Sequence, residues 1–208
     1  MKRSYVGLMI ILILILISLG CSNKQKPNTP TISINPDSEY ENTFKDLNLG
    51  ILFDFDFYLP SADKRWVNLW VERYNDGKKD SQPLTQLSYG NSPNKVEEGN
   101  LGFGMINPNS KDTLVFLYGP GVSMQPSIIE KENKTYTLSS WDYAIGKGKE
   151  EMELKLGETK ILAAYRETRS KSMSMIDLQD EESVNRIIKE DDMVLLLKIK
   201  VEENNEVP

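Results

Sequence analysis

Gly50-Ile51-Leu52-Phe53-Asp54-Phe55-Asp56-Phe57-Tyr58-Leu59 alternates in character along almost its whole length. A side-chain period of two puts Ile51, Phe53, Phe55, Phe57 and Leu59 on one face of a strand and Asp54 and Asp56 on the other. The stretch reads as a strand with its aromatic face inward and its aspartates outward. Pro60-Ser61-Ala62-Asp63 makes a turn, and residues 66–74 alternate again. Val67, Leu69 and Val71 share one face there, and Trp66, Asn68, Trp70, Glu72 and Tyr74 share the other. Asn75-Asp76-Gly77 then supplies the positive-φ positions of a hairpin turn.

Further short apolar segments recur at 84–89, 101–106, 113–118, 122–129 and 135–145. Asn91-Ser92-Pro93-Asn94, Asn107-Pro108-Asn109-Ser110, Gly119-Pro120-Gly121 and Gly146-Lys147-Gly148 separate them as chain reversals. Residues 151–156 and 159–166 read as a hairpin across Gly157. The helical period occurs at 180–190, where Val184, Ile187 and Ile188 recur at i, i+3 and i+4 behind an acidic start. Residues 193–201 are apolar on both faces, which predicts a central or covered strand. Together these predict a mainly β domain, an antiparallel β-sandwich or barrel-like fold with one short helix near the C-terminus.

Upstream, Lys2 and Arg3 precede an apolar run that stops at Ser18-Leu19-Gly20-Cys21. Its uninterrupted part, residues 8–17, is about half of the roughly 20 apolar residues that a spanning helix needs, and fits an export signal. The small Gly20 lets a protease reach the bond before Cys21, whose thiol can be joined to a lipid. The stretch resembles the bacterial lipoprotein class processed by signal peptidase II, although Ser18 stands where that class prefers leucine. The resemblance covers residues 1–21 and implies cleavage before Cys21, acylation of Cys21, and residence on the extracytoplasmic face of the cell membrane. The organisation expected is a signal peptide at 1–20, the acylated cysteine and a flexible linker at 21–43, one β-rich domain at 44–202, and a polar tail at 203–208.

Composition narrows the chemistry. Loss of Lys2 and Arg3 with the signal leaves 23 basic against 31 acidic residues, moving the net charge from -6 to -8. Such a chain is repelled by phosphates, so nucleic acid is not an expected partner. There is no histidine, and Cys21 is the single cysteine. Thiol catalysis, disulfides, histidine general bases and Cys/His metal sites are therefore not expected, and neither is a cofactor.

Several groupings invite a chemical reading. Ser61-Ala62-Asp63-Lys64, Ser92-Pro93-Asn94 and Lys134-Thr135-Tyr136 echo the serine, amide and lysine motifs of penicillin-recognising enzymes. That family needs its serine at the start of a buried helix, whereas residues 66–74 alternate as a strand, so no catalysis is expected. Asp54 and Asp56 are spaced for a hard cation but lack an acidic loop beside them, and are expected to be solvated. Met173 and Met175 have a thioether spacing better explained by packing on a strand edge. Arg166, Arg169 and Lys171 form a small basic patch diluted by Glu167.

Trp66, Trp70 and Tyr74 are the candidate binding face, each about 13–14 Å from the next along one strand. If open to solvent they form a platform for a glycan or for a partner's apolar side chains; if covered they are core. The expected function is a lipid-anchored, non-catalytic extracytoplasmic protein binding a protein partner at the cell surface, with a carbohydrate or cell-wall module using the aromatic face as the alternative. Replacing Cys21 by serine is predicted to abolish incorporation of radiolabelled palmitate, and persistent labelling of the variant would remove the lipid.

Overall fold

A computed structural model describes residues 28–129, 136–146 and 151–203; Cys21 and the signal and tail segments lie outside them. Two antiparallel sheets pack face to face as a sandwich and do not close into a barrel. The first sheet is built from β1 (Thr31–Ile34), β2 (Gly50–Pro60), β6 (Val96–Ile106), β7 (Leu114–Gly119), β8 (Val122–Ser123), β9 (Ser127–Ile128) and β11 (Met152–Glu153). Its order is β11-β1-β2-β6-β7-β8, with β9 also paired to β7. The second sheet is built from β3 (Arg65–Asn75), β4 (Lys78–Lys79), β5 (Thr85–Gly90), β10 (Leu138–Tyr143), β12 (Thr159–Thr168) and β13 (Met193–Glu203). There the order is β10-β12-β13-β3-β4, with β5 also on β3.

The alternation of β2 and β3 sets the core. Phe53, Phe55, Phe57 and Leu59 of β2 meet Val67, Leu69 and Val71 of β3 between the sheets, all buried. The turn between β3 and β4 has Asp76 and Gly77 at positive φ, with Tyr74 facing Lys79 across it. Central β13 buries Leu195, Leu197, Ile199 and Val201 in the main core. On its other face Val194 and Leu196 meet Val184 and Ile187 of helix α2 (Glu181–Glu190). Asp180 caps that helix by accepting from the Ser183 amide at 2.9 Å.

The structure corrects three expectations. The linker was expected to reach Thr43, but Thr31–Ile34 is a strand and helix α1 (Glu39–Asp46) lies across the first sheet. Ile32 and Ile34 are buried against the core, and Ser38 caps α1 by accepting from the Glu41 amide at 3.0 Å. Among the described residues two α-helices are therefore present where one was expected. Thr31 lies only ten positions after Cys21, a reach of at most about 35 Å. The expected hairpin across Gly157 does not form, because β11 pairs with β1 and β12 with β10 and β13. Buried Leu154, whose amide donates to the Pro30 carbonyl at 2.8 Å, takes the chain from one sheet to the other.

Helix α1 docks through rings. Its Tyr40 and Phe44, one turn apart, sit 6.0 Å from Tyr118 and Phe116 respectively, measured between ring centroids. Those two β7 rings lie across glycines of β6: a Cβ on Gly104 would fall 2.2 Å from the Phe116 ring, and one on Gly102 would fall 2.5 Å from the Tyr118 hydroxyl. Gly104→Val is predicted to lower stability by about 1–3 kcal/mol by displacing Phe116. In a Phe116→Ala background urea unfolding should show a much smaller penalty, since the clashing ring is gone.

Candidate functional site

The predicted row does share one face, the outer surface of the second sheet, where Trp66, Trp70 and Tyr74 are all half-buried. It is not a bare aromatic platform. Glu72, nearly buried between Trp70 and Tyr74, accepts from Trp70 Nε1 at 3.2 Å and Lys79 Nζ at 2.7 Å on one oxygen. Its other oxygen accepts from Tyr74 Oη at 2.9 Å and Lys198 Nζ at 2.9 Å. Tyr74 also packs against the cluster beneath α2. Between the tryptophans, Ser88 donates to Asn68 at 2.8 Å and Asn68 donates to Glu202 at 3.1 Å.

A second surface forms where sequence reading expected only solvated aspartates. Asp54 points outward from β2 but is fully buried. It accepts from Tyr118 Oη at 2.7 Å and Asn100 Nδ2 at 2.8 Å, with Ser38 a further side-chain partner. Burial pushes its carboxyl above the ordinary range, against the opposing pull of these neutral donors. Asp56, by contrast, is exposed and accepts from Asn35 at 2.9 Å. Beside Asp54, α1 and the Pro120–Gly121 reversal enclose an open groove of about 800 Å³. Tyr40, Phe44, Phe116 and Val122 line it, and Glu98 is the one charged residue among its lining. The signal that could have found this surface is Ser38 three residues before Glu41, the capping-box spacing, with Tyr40 and Phe44 four apart behind it.

The remaining groupings are placed as follows. Ala62 and Ser92 are adjacent, the Ser92 amide donating to the Ala62 carbonyl at 3.1 Å, but Ser61 precedes a single 3-10 turn at Ala62–Lys64. Lys134 lies outside the described residues. Arg166 is buried, donating to Asp191 at 3.1 Å and to the Ser174 carbonyl at 3.2 Å, and Arg169 is bound to Asp192. Two members of the expected basic patch, Arg166 and Arg169, are thus taken by ion pairs, and Lys171 is exposed. Met173 and Met175 belong to the loop after β12 rather than to a strand edge, and Met175 is 93% exposed. Among the described residues no three His, Cys, Asp or Glu side chains gather as a metal site, and no helix is long and apolar enough to cross a membrane.

No family model matches the chain, and no solved structure matches it. A protein nucleotidyltransferase YdiU of Clostridium botulinum (strain Eklund 17B / Type B) is 36% identical over 59 residues. That stretch is 28% of this chain and 12% of the relative, so the chain spans only a small fraction of that protein's length.

Glu72 supplies a pH dependence of defined sign. Burial would raise its carboxyl, but donation from Lys79, Lys198, Trp70 and Tyr74 outweighs this and holds it at about 2, below the ordinary 4.5. Its stabilisation is present above pH 4.5 and is lost as pH falls toward 2. Glu72→Gln is predicted to cost about 2 kcal/mol at pH 7. Urea unfolding of the two proteins should converge as the pH is lowered through that window.

Proposed function

We propose that this chain is a non-catalytic, lipid-anchored protein of the extracytoplasmic membrane face that holds a protein partner in the groove between α1 and the Pro120–Gly121 reversal. The observation that carries the reading is Tyr40, 52% exposed while its ring stands edge-on to buried Tyr118. An ordered ring open on one side is the kind of anchor at which protein interfaces concentrate their binding energy. The volume and largely apolar lining suit an inserted apolar segment. Glu98 in that lining and the net charge of -8 after signal removal favour a segment flanked by lysine or arginine.

The anchor rests on Gly20-Cys21 behind the short apolar run, and the ten residues to Thr31 keep the partner near the membrane surface. The glycan alternative on Trp66, Trp70 and Tyr74 has less support: Tyr74 is drawn under α2 and Trp70 is held by Glu72. The 59-residue similarity to a nucleotidyltransferase is too short a share of that protein for its activity to enter the proposal.

A photo-cross-linking residue at position 40 of the full-length chain, activated in cells, is predicted to give one adduct of defined mass. Ser123→Arg, which fills the groove from an exposed position, should abolish that adduct while Trp66→Phe leaves it intact. Adducts indifferent to Ser123→Arg, or no adduct, would sink the reading.

A further inference from the structure

The exposed tryptophan of the described chain is Trp141, 51% open to solvent, and it belongs to neither surface above. It sits on edge strand β10, opposite Tyr165 of β12. Tyr143, two residues on, enters the core and stands edge-on to Phe53 and Phe55 at 5.3 and 5.4 Å. Trp141 thus shares the core-facing side of the strand but lies where the two sheets part, at the mouth of the sandwich. Its neighbour Tyr165 is fixed from below, donating to Glu167 at 2.6 Å and bonding to Ser139.

The mouth is a cleft of about 700 Å³, within the roughly 300–1,000 Å³ of small-molecule sites. Facing Trp141 across it are Asn48, Asn107, Asn109 and Ser110, with Ser139 beside the ring. Gly50 brings the two walls together: at φ +150° it starts β2 so close to the opposite turn that a Cβ would lie 2.1 Å from the Met105 carbonyl oxygen and 3.0 Å from Pro108. No charged residue lines the cleft, although 27% of the chain is charged. Among the described residues, no hydrogen bond engages the side-chain amides of Asn48, Asn107 or Asn109, all three exposed.

We infer that this cleft binds a neutral saccharide, one sugar ring lying on the Trp141 indole and its hydroxyls meeting the side chains of Asn48, Asn107, Asn109 and Ser110. Each property of the cleft points to that ligand class. An indole offers an apolar face to the C–H side of a pyranose. Amides both donate and accept, as a ring of hydroxyls requires. The absence of ionic side chains leaves a phosphate, carboxylate or ammonium group without a counter-charge. The inference concerns a different surface from the α1 groove, so either can fail alone.

The test is titration of the purified full-length protein with cellobiose, maltotriose and N,N′-diacetylchitobiose, following tryptophan emission. At least one sugar is expected to bind with an affinity unchanged between low salt and about 0.5 M salt, since no ion pair is screened. Trp141→Ala should weaken binding about tenfold or more. Asn109→Ala should weaken it less, and Ser123→Arg in the other groove should have no effect. Because Trp141 and Asn109 are exposed, both variants should keep the parent's unfolding midpoint. Absence of binding by all three sugars, binding indifferent to Trp141→Ala, or binding that weakens steeply as salt is raised would each overturn the assignment.

Discussion

Asp54 has no surface open to water, although it points away from the core of the sandwich. A carboxylate in that position must be either hydrated or covered by donors. Here the cover is built from three separate elements: Tyr118 of β7, Asn100 of β6 and Ser38 at the head of α1. The same side chain that satisfies the carboxylate therefore also positions the helix. Ser38 caps α1, and one turn of that helix carries Tyr40 and Phe44 onto the rings of β7. Remove the carboxylate and the donors are left unpaired; remove the helix and the carboxylate loses its Ser38 partner. The outer face of the first sheet stands or falls as a unit.

The second sheet solves the same problem with charge. Glu72 has two lysines as well as two aromatic donors, and its acidity moves in the opposite direction from that of Asp54. Neutral donors satisfy the geometry of a buried carboxylate without compensating its desolvation, whereas ammonium groups compensate both. One consequence is mechanical. Trp70 and Tyr74 are held by a carboxylate that stays ionised across the whole physiological range, so the rings that sequence reading marks as a binding face are braced in place. A third buried carboxylate, Asp191, is paired to Arg166, which also takes the Ser174 carbonyl and ties the loop after β12 to the end of α2.

The strands were legible because their signal is local. The alternation of β2 and β3, the Asp76-Gly77 turn and the two-sided apolar character of β13 each follow from side-chain period and backbone sterics. The helix α1 was not, because its apolar content is two rings among eight residues, too thin to show a period, and β1 is only four residues between prolines. Asp54 inherits that failure: period two assigns its direction correctly, but whether the direction means solvent depends on an element elsewhere in the chain. Trp141 was obscure for a related reason. Its strand was expected, yet being on the inward side of an edge strand at the mouth of a sandwich is a property of the pairing of β10 with β12 and of nothing in its neighbours. The crossing at Leu154 is likewise set by which sheet accepts the chain, and a turn glycine such as Gly157 serves a hairpin and a sheet change equally well.

The position of the chain's entry gives these surfaces an order in space. Buried Arg65 donates to the Pro60 carbonyl at 2.6 Å and to the Asn28 carbonyl at 3.1 Å, fastening the first described residues to the far end of β2. The Trp141 cleft includes Gly50, at the opposite end of that strand. Eleven residues of strand separate the two ends, about 35 Å. On the lipid-anchored reading, a tether fastened by Arg65 at Asn28, seven positions after Cys21, holds that end toward the bilayer and turns the Trp141 mouth away from it. The α1 groove lies along the flank between them. A membrane-adjacent partner and a saccharide of the surrounding envelope would then be met on different parts of one rigid sandwich, and the stiffness of β2 fixes the distance between them.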